Sequence, residues 1–244
     1  ILNFVFSSIK RLALNCFPLI KMNLMFDFVK IGEVPKTSWS SEKALNFKPK
    51  VITLAALTIG LFFFGLGEAL LVTSQMGVSP WTALAQGLSN VTGSGLGLAT
   101  FIISICVLLL WIPLRQSPGI GTVLNAIIIS VTLHFSIPFL PVFEENILKL
   151  SQAILGVFIT GIGGGIYLVA NLGPGARDGL MTGLQRVTNF PIAWVRSTIE
   201  VSVLTIGWWL GGVIGLGTIL FALGIGPCLA ISLTMVGSKK SKVE

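Results

Sequence analysis

The sequence predicts an all-α membrane protein: six transmembrane helices in two inverted three-span repeats, each repeat with a short broken or re-entrant helix. Three observations predict it. The 244 residues are 53% hydrophobic and 10% charged, with a mean hydropathy of +0.92, whereas soluble domains carry about 25% charge. Six apolar segments are long enough to cross about 30 Å of hydrocarbon. Glycines and chain breaks recur without a gap at an offset of 96 residues, as Gly156 follows Gly60.

The first fifty residues form a basic cytoplasmic lead-in, partly amphipathic. They hold Lys10, Arg11, Lys21, Lys30, Lys36, Lys43, Lys48 and Lys50 against Asp27, Glu33 and Glu42. Residues 1–20 are expected to form at most a surface helix, and residues 22–50 to pack against no core. The apolar stretch Leu12 to Ile20 is broken by Asn15 and Pro18 and lacks a small-residue cleavage site, so it does not read as a signal peptide. The frame opens on Ile1, and Met22 and Met25 are candidate starts.

The expected spans are Val51 to Thr73, Leu96 to Leu114, Thr122 to Phe139, Ile147 to Ala170, Ile192 to Gly212 and Thr218 to Val236. Residues 51–141 make the first repeat, 142–146 an external linker, 147–237 the second repeat and 238–244 a basic cytoplasmic tail. Gly60, Gly65, Gly67, Gly77, Gly87, Gly119 and Gly121 pair with Gly156, Gly161, Gly163, Gly173, Gly183, Gly215 and Gly217. After the first span of each repeat comes a Gly/Pro break, Gly77 to Pro80 and Gly173 to Ala176, then a helix too short to cross.

Three spans per repeat turn the second copy upside down. With the N-terminus inside, Lys48, Lys50, Arg115, Arg177, Arg186, Lys239, Lys240 and Lys242 fall on the cytoplasmic side, and Glu144, Glu145 and Lys149 fall outside. Eight spans would split that set. The location that follows is a bacterial inner (plasma) membrane, multi-pass, with both termini cytoplasmic. The +7 net charge is topological, since the basic residues flank apolar segments instead of making a polar face for nucleic acid.

Backbone freed at the breaks must face protein or water, because each unsatisfied group in hydrocarbon costs several kcal/mol. Candidate solute-binding residues gather there: Gly77, Ser79, Pro80 and Trp81 at the first break, and Gly173, Gly175, Arg177 and Asp178 at the second. Arg177 beside a helix start suits an anionic group; the competing role of Arg177 and Asp178 is to cap and anchor the short helix. Glu68 is a carboxylate at bilayer depth, suited to proton coupling, to holding an amine or to bonding freed backbone. Arg196 and Glu200 stand one turn apart and neutralise each other, either as a structural pair or as part of the site. His134 reads as interfacial; Trp111, Trp208 and Trp209 read as belt anchors; Gly161 and Gly165 read as a close helix contact. Cys16, Cys106 and Cys228 read as small packing residues, neither disulfide-bonded nor metal-binding.

The stretches Gly60-Leu-Phe-Phe-Phe-Gly-Leu-Gly-Glu-Ala-Leu70, Gly77-Val-Ser-Pro-Trp81, Asn171-Leu-Gly-Pro-Gly-Ala-Arg-Asp-Gly-Leu-Met-Thr-Gly-Leu184 and Gly215-Leu-Gly-Thr218 resemble the YczE-like bacterial membrane proteins, relatives of the YitT group. The resemblance runs from about Gly60 to Ala230. It implies a membrane location and little mechanism.

The expected function is a secondary permease for a small polar or anionic solute, and the alternative is a non-transporting membrane scaffold or regulatory partner. An enzyme ranks last, because no nucleophile with a base, no metal-ligand spacing and no phosphate loop appears. Neither a cofactor nor a metal is expected. The expected partners are the lipid bilayer, a small-molecule solute and further copies of the chain, with no nucleic acid.

Overall fold

A computed structural model describes residues 34–237, and the expected surface helix over residues 1–20 lies outside them. Among the described residues the protein is all-helical. Its eight α-helices are α1 Val51–Ser74, α2 Pro80–Thr92, α3 Leu96–Trp111, α4 Ile120–Ser136, α5 Asn146–Ala170, α6 Ala176–Thr188, α7 Ile192–Trp209 and α8 Leu216–Gly237.

Four segments are long and apolar enough to cross a bilayer by themselves: Val51–Ser74, Ile120–Phe139, Asn146–Ala170 and Leu216–Gly237. A fifth follows if α2 and α3, bent by 113° at their junction, count as one broken span. The other two expected spans fall short for separate reasons. α3 has 16 residues, about 24 Å of helix. α7 carries Arg196, Glu200 and the hydroxyls of Ser197, Thr198, Ser202 and Thr205 along 18 residues.

α1 and α5 pack face to face through glycines and run antiparallel. A Cβ on Gly60 would lie 2.9 Å from the Gly163 carbonyl oxygen, and one on Gly67 would lie 2.6 Å from that of Gly156. Any larger side chain would force the backbones apart, which is the function of small residues between membrane helices. The expected Gly161 and Gly165 contact also forms, with Gly161 seated on Cys228 and Gly165 on Ser232 of α8. Around this seam Leu57, Leu61, Ala69, Ile129, Leu133, Tyr167, Ala170 and Leu172 form the largest buried cluster.

The two breaks are built alike. α1 ends on Gln75 at φ 58° and α5 ends on Asn171 at φ 51°, and each is followed by a glycine in positive φ, Gly77 at 109° and Gly173 at 113°. Only glycine takes that conformation without strain. Each break is then tied to the first turn of a distant helix: Gly121 N–H donates to the Leu172 carbonyl (2.8 Å), and Gly217 N–H donates to the Met76 carbonyl (2.7 Å). In this way α4 and α8 satisfy backbone groups that lipid leaves bare.

The segment before α1 corrects one expectation: within residues 22–50, the described part does pack on the membrane core. Ser41 is buried, its N–H donates to the Ala170 carbonyl (3.1 Å), and Asn171 Nδ2 donates to the Ser41 carbonyl (2.8 Å). Trp39 packs on the main cluster. The last carbonyls of α5 need donors, and this polar segment supplies one.

Trp111 departs from its expected place in an aromatic belt. It is 2% exposed, lies over Gly179, and its indole N–H donates to the Ala176 carbonyl at 3.0 Å. The missing Cβ at Gly179 makes room for the ring, and the free carbonyl satisfies its donor. Trp208 and Trp209 are exposed. Cys106 is exposed instead of packed inside, whereas Cys228 does pack, against Gly161.

Candidate functional site

The two short helices begin on residues with different capping chemistry. In α2, Ser79 is the N-cap, and its Oγ accepts from Thr82 N–H (3.4 Å) ahead of Pro80 in the first turn. Proline costs nothing there because its missing N–H has no helical partner anyway. In α6 the N-cap is Gly175, which has no side chain to cap with. A Cβ on Gly175 would meet Asp178 Oδ2 at 3.2 Å, Asn125 Nδ2 at 3.4 Å and Tyr167 Oη at 3.5 Å. Glycine therefore opens the first turn of α6 onto three polar groups.

Glu68 lies at the start of α2. It is 1% exposed, and its Oε2 accepts hydrogen bonds from Ser79 Oγ (2.8 Å) and Thr82 Oγ1 (2.6 Å). Both donors come from the N-cap and first turn of α2, so the start of that helix faces this one oxygen. The other oxygen, Oε1, is buried and has no hydrogen-bond partner.

The start of α6 carries the mirror-image chemistry. Asp178 Oδ2 accepts from Tyr167 Oη of α5 at 2.9 Å. In the first half the long helix supplies the carboxylate and the short helix the hydroxyls; in the second the long helix supplies the hydroxyl and the short helix the carboxylate. Thr82 and Asp178 are equivalent positions at the 96-residue offset.

Between these two pairs, Arg177 stacks on Trp81, with the guanidinium carbon 5.3 Å from the ring centroid. Trp81 is 6% exposed and Arg177 half-buried. Glu68 bonds Ser79 and Thr82 on either side of Trp81, and Asp178 directly follows Arg177, so three charged groups gather where the two short helices begin.

The structure thus brings Glu68, Ser79, Trp81, Arg177 and Asp178 around the starts of the two short helices. Pro80 serves the first turn of α2. Gly77 and Gly173 pack instead on the first turns of α8 and α4: a Cβ on Gly77 would lie 2.7 Å from Thr218 Oγ1, and one on Gly173 would lie 2.8 Å from Thr122 Oγ1. Arg196 Nε pairs with Glu200 Oε1 at 2.8 Å, with side chains 48% and 32% exposed.

Thr82, Tyr167 and Asn125 were missed. The offset itself pointed to Thr82, because it aligns with Asp178; Tyr167 is the one tyrosine of the chain and sits among glycines in an apolar span. Among the described residues no group of three His, Cys, Asp or Glu side chains is placed to hold a metal ion.

A family of unknown function, DUF6198, matches residues 51–234. An uncharacterised protein of Haemophilus influenzae is 37% identical over 85% of this chain and 94% of its own length. The uncharacterised membrane protein YczE of Bacillus subtilis is 35% identical over 71% of this chain and 82% of its own. The uncharacterised protein YyaS of the same organism is 28% identical over 66% and 83%. No solved structure matches.

Proposed function

The chain belongs to the DUF6198 family and is a relative of the membrane protein YczE; on that premise we propose that it is a secondary permease of the plasma membrane for a small polar or anionic solute, bound where α2 and α6 begin. It crosses the membrane six times as two inverted repeats, with both termini cytoplasmic. The stacked pair of Trp81 and Arg177 is the observation that carries the reading. These residues are equivalents at the repeat offset, since 81 and 177 differ by 96, and two equivalent residues in contact stand on the axis that exchanges the repeats.

Other contacts support that axis because they come in exchanged pairs. Gly60 faces Gly163 as Gly67 faces Gly156. Gly121 bonds Leu172 as Gly217 bonds Met76. Ala83 faces Gly207 as Trp111 faces Gly179. Reciprocal contacts of this kind support a two-fold relation, and the antiparallel run of α1 and α5 supports an axis across the helices, in the plane of the membrane. Short helices starting at such an axis are the plan of carriers that bind at the midplane.

The reading is tested by screening polar and anionic solutes for thermal stabilisation of the purified protein and for uptake into proteoliposomes. A solute that does both bears it out. A scaffold or regulatory partner stabilises with no solute and transports none.

A further inference from the structure

The site offers a donor-seeking group and an acceptor-seeking group side by side. Glu68 Oε1 is the donor-seeking group: it is buried and unpartnered, while Oε2 is fully engaged by Ser79 and Thr82. A buried carboxylate oxygen without a donor is costly, and more so when the carboxylate is ionised. The acceptor-seeking groups are the Arg177 guanidinium and the first-turn N–H groups of α6, which Gly175 leaves uncapped. Glu68 is held by Ser79 and Thr82, which flank Trp81 in the chain, and Arg177 lies on the Trp81 face instead of in a salt bridge with Glu68.

Charge balance selects among ligands. A simple anion on Arg177 would stand near the carboxylates of Glu68 and Asp178, and a simple amine on Glu68 would stand near Arg177; either meets a like charge in a poorly screened place. A molecule with both groups meets an opposite charge at each end and leaves the net charge of the site unchanged. We infer that the solute is a small zwitterion of the α-amino-acid type, its ammonium donating to Glu68 Oε1 and its carboxylate accepting from Arg177 and the first turn of α6. This rests on the permease reading and narrows its substrate class.

The test is calorimetric titration of the purified full chain with matched compounds: alanine, propionate (the acid without the amine), ethylamine (the amine without the acid) and lactamide (neutral and polar), followed by the other natural amino acids. An amino acid is expected to bind, and its acid-only, amine-only and neutral counterparts to bind at least about 30-fold more weakly, the scale for losing one partner of a buried charge pair. Glu68→Gln should weaken the amino acid by a similar factor and leave the acid-only compound no weaker. Ser79→Ala, which removes only one of the two hydroxyls that position Glu68, should reduce the preference for amino acid over acid while the protein keeps its fold. Acid-only or neutral compounds binding as well as the amino acid, or no amino acid binding at all, would overturn the zwitterion. Uptake is scored separately in proteoliposomes. Transport of an anion with no need for an amine leaves the permease and removes the zwitterion, whereas tight amino-acid binding without any uptake keeps the ligand and removes the permease.

Discussion

Trp81 and Arg177 are the second residues of α2 and α6, and the guanidinium carbon of Arg177 stands 5.3 Å from the centroid of the Trp81 ring. The two residues stand at equivalent positions of the 96-residue offset, one a π face and the other the cation that lies on it, so the contact exists only when both halves of the chain are in place. Such pairs contribute roughly 0.5–2 kcal/mol, more when water is excluded. A double-mutant cycle of Trp81→Leu and Arg177→Gln, read as thermal stability in detergent or nanodiscs, should return a coupling in that range. Additive losses would remove the contact.

The exchanged glycine contacts make a symmetric prediction. Gly67→Ala and Gly163→Ala are equivalent positions, and each drives a Cβ into the backbone of the opposing helix. Both should destabilise by about 1–3 kcal/mol, the range for overpacking a tight interface. Gly93→Ala, where a Cβ meets nothing within 4 Å, tests strain alone, because Gly93 holds a positive φ of 69°; its loss should be about 1 kcal/mol. Measured unfolding midpoints would separate the two cases.

Topology is testable from the loops. In a background lacking Cys16, Cys106 and Cys228, Glu144→Cys should react with a membrane-impermeant thiol reagent in intact cells, whereas Arg115→Cys should react only after permeabilisation. Arg115→Cys labelling from outside would contradict six spans.

Much of this organisation was legible in the sequence. Glycine spacing marked the close contacts of α1 with α5, because such contacts tolerate only glycine and so leave a visible residue pattern. Glu68 and the breaks stood out as polar or glycine-rich interruptions in apolar runs. Trp111 was misread because an aromatic near a span end looks the same whether it faces lipid or a neighbour; what decides is Gly179, 68 residues away, over which it lies. The packing of Ser41 and Trp39 was invisible for a similar reason: it depends on the open carbonyls at the end of α5, and nothing within residues 34–50 marks that partner.

Trp111 itself gives a sharp stability prediction. Trp111→Ala would empty the space over Gly179 and leave the Ala176 carbonyl without its donor, costing about 3–5 kcal/mol. Trp111→Phe keeps most of the volume and loses the hydrogen bond, costing about 1–3 kcal/mol. Equal losses would show that the N–H, not the ring's volume, holds α3 to α6.

The central claim is that one site at the axis between the repeats serves both faces of the membrane, and solute counterflow tests it most directly. Proteoliposomes preloaded with unlabelled solute and diluted into a trace of the same labelled solute should accumulate label transiently above the level of empty vesicles. Arg177→Gln should abolish that overshoot, while the exposed-loop variant Glu144→Gln should retain it. A solute that binds the protein yet shows no overshoot in the wild type, or an overshoot undiminished in Arg177→Gln, would contradict the account.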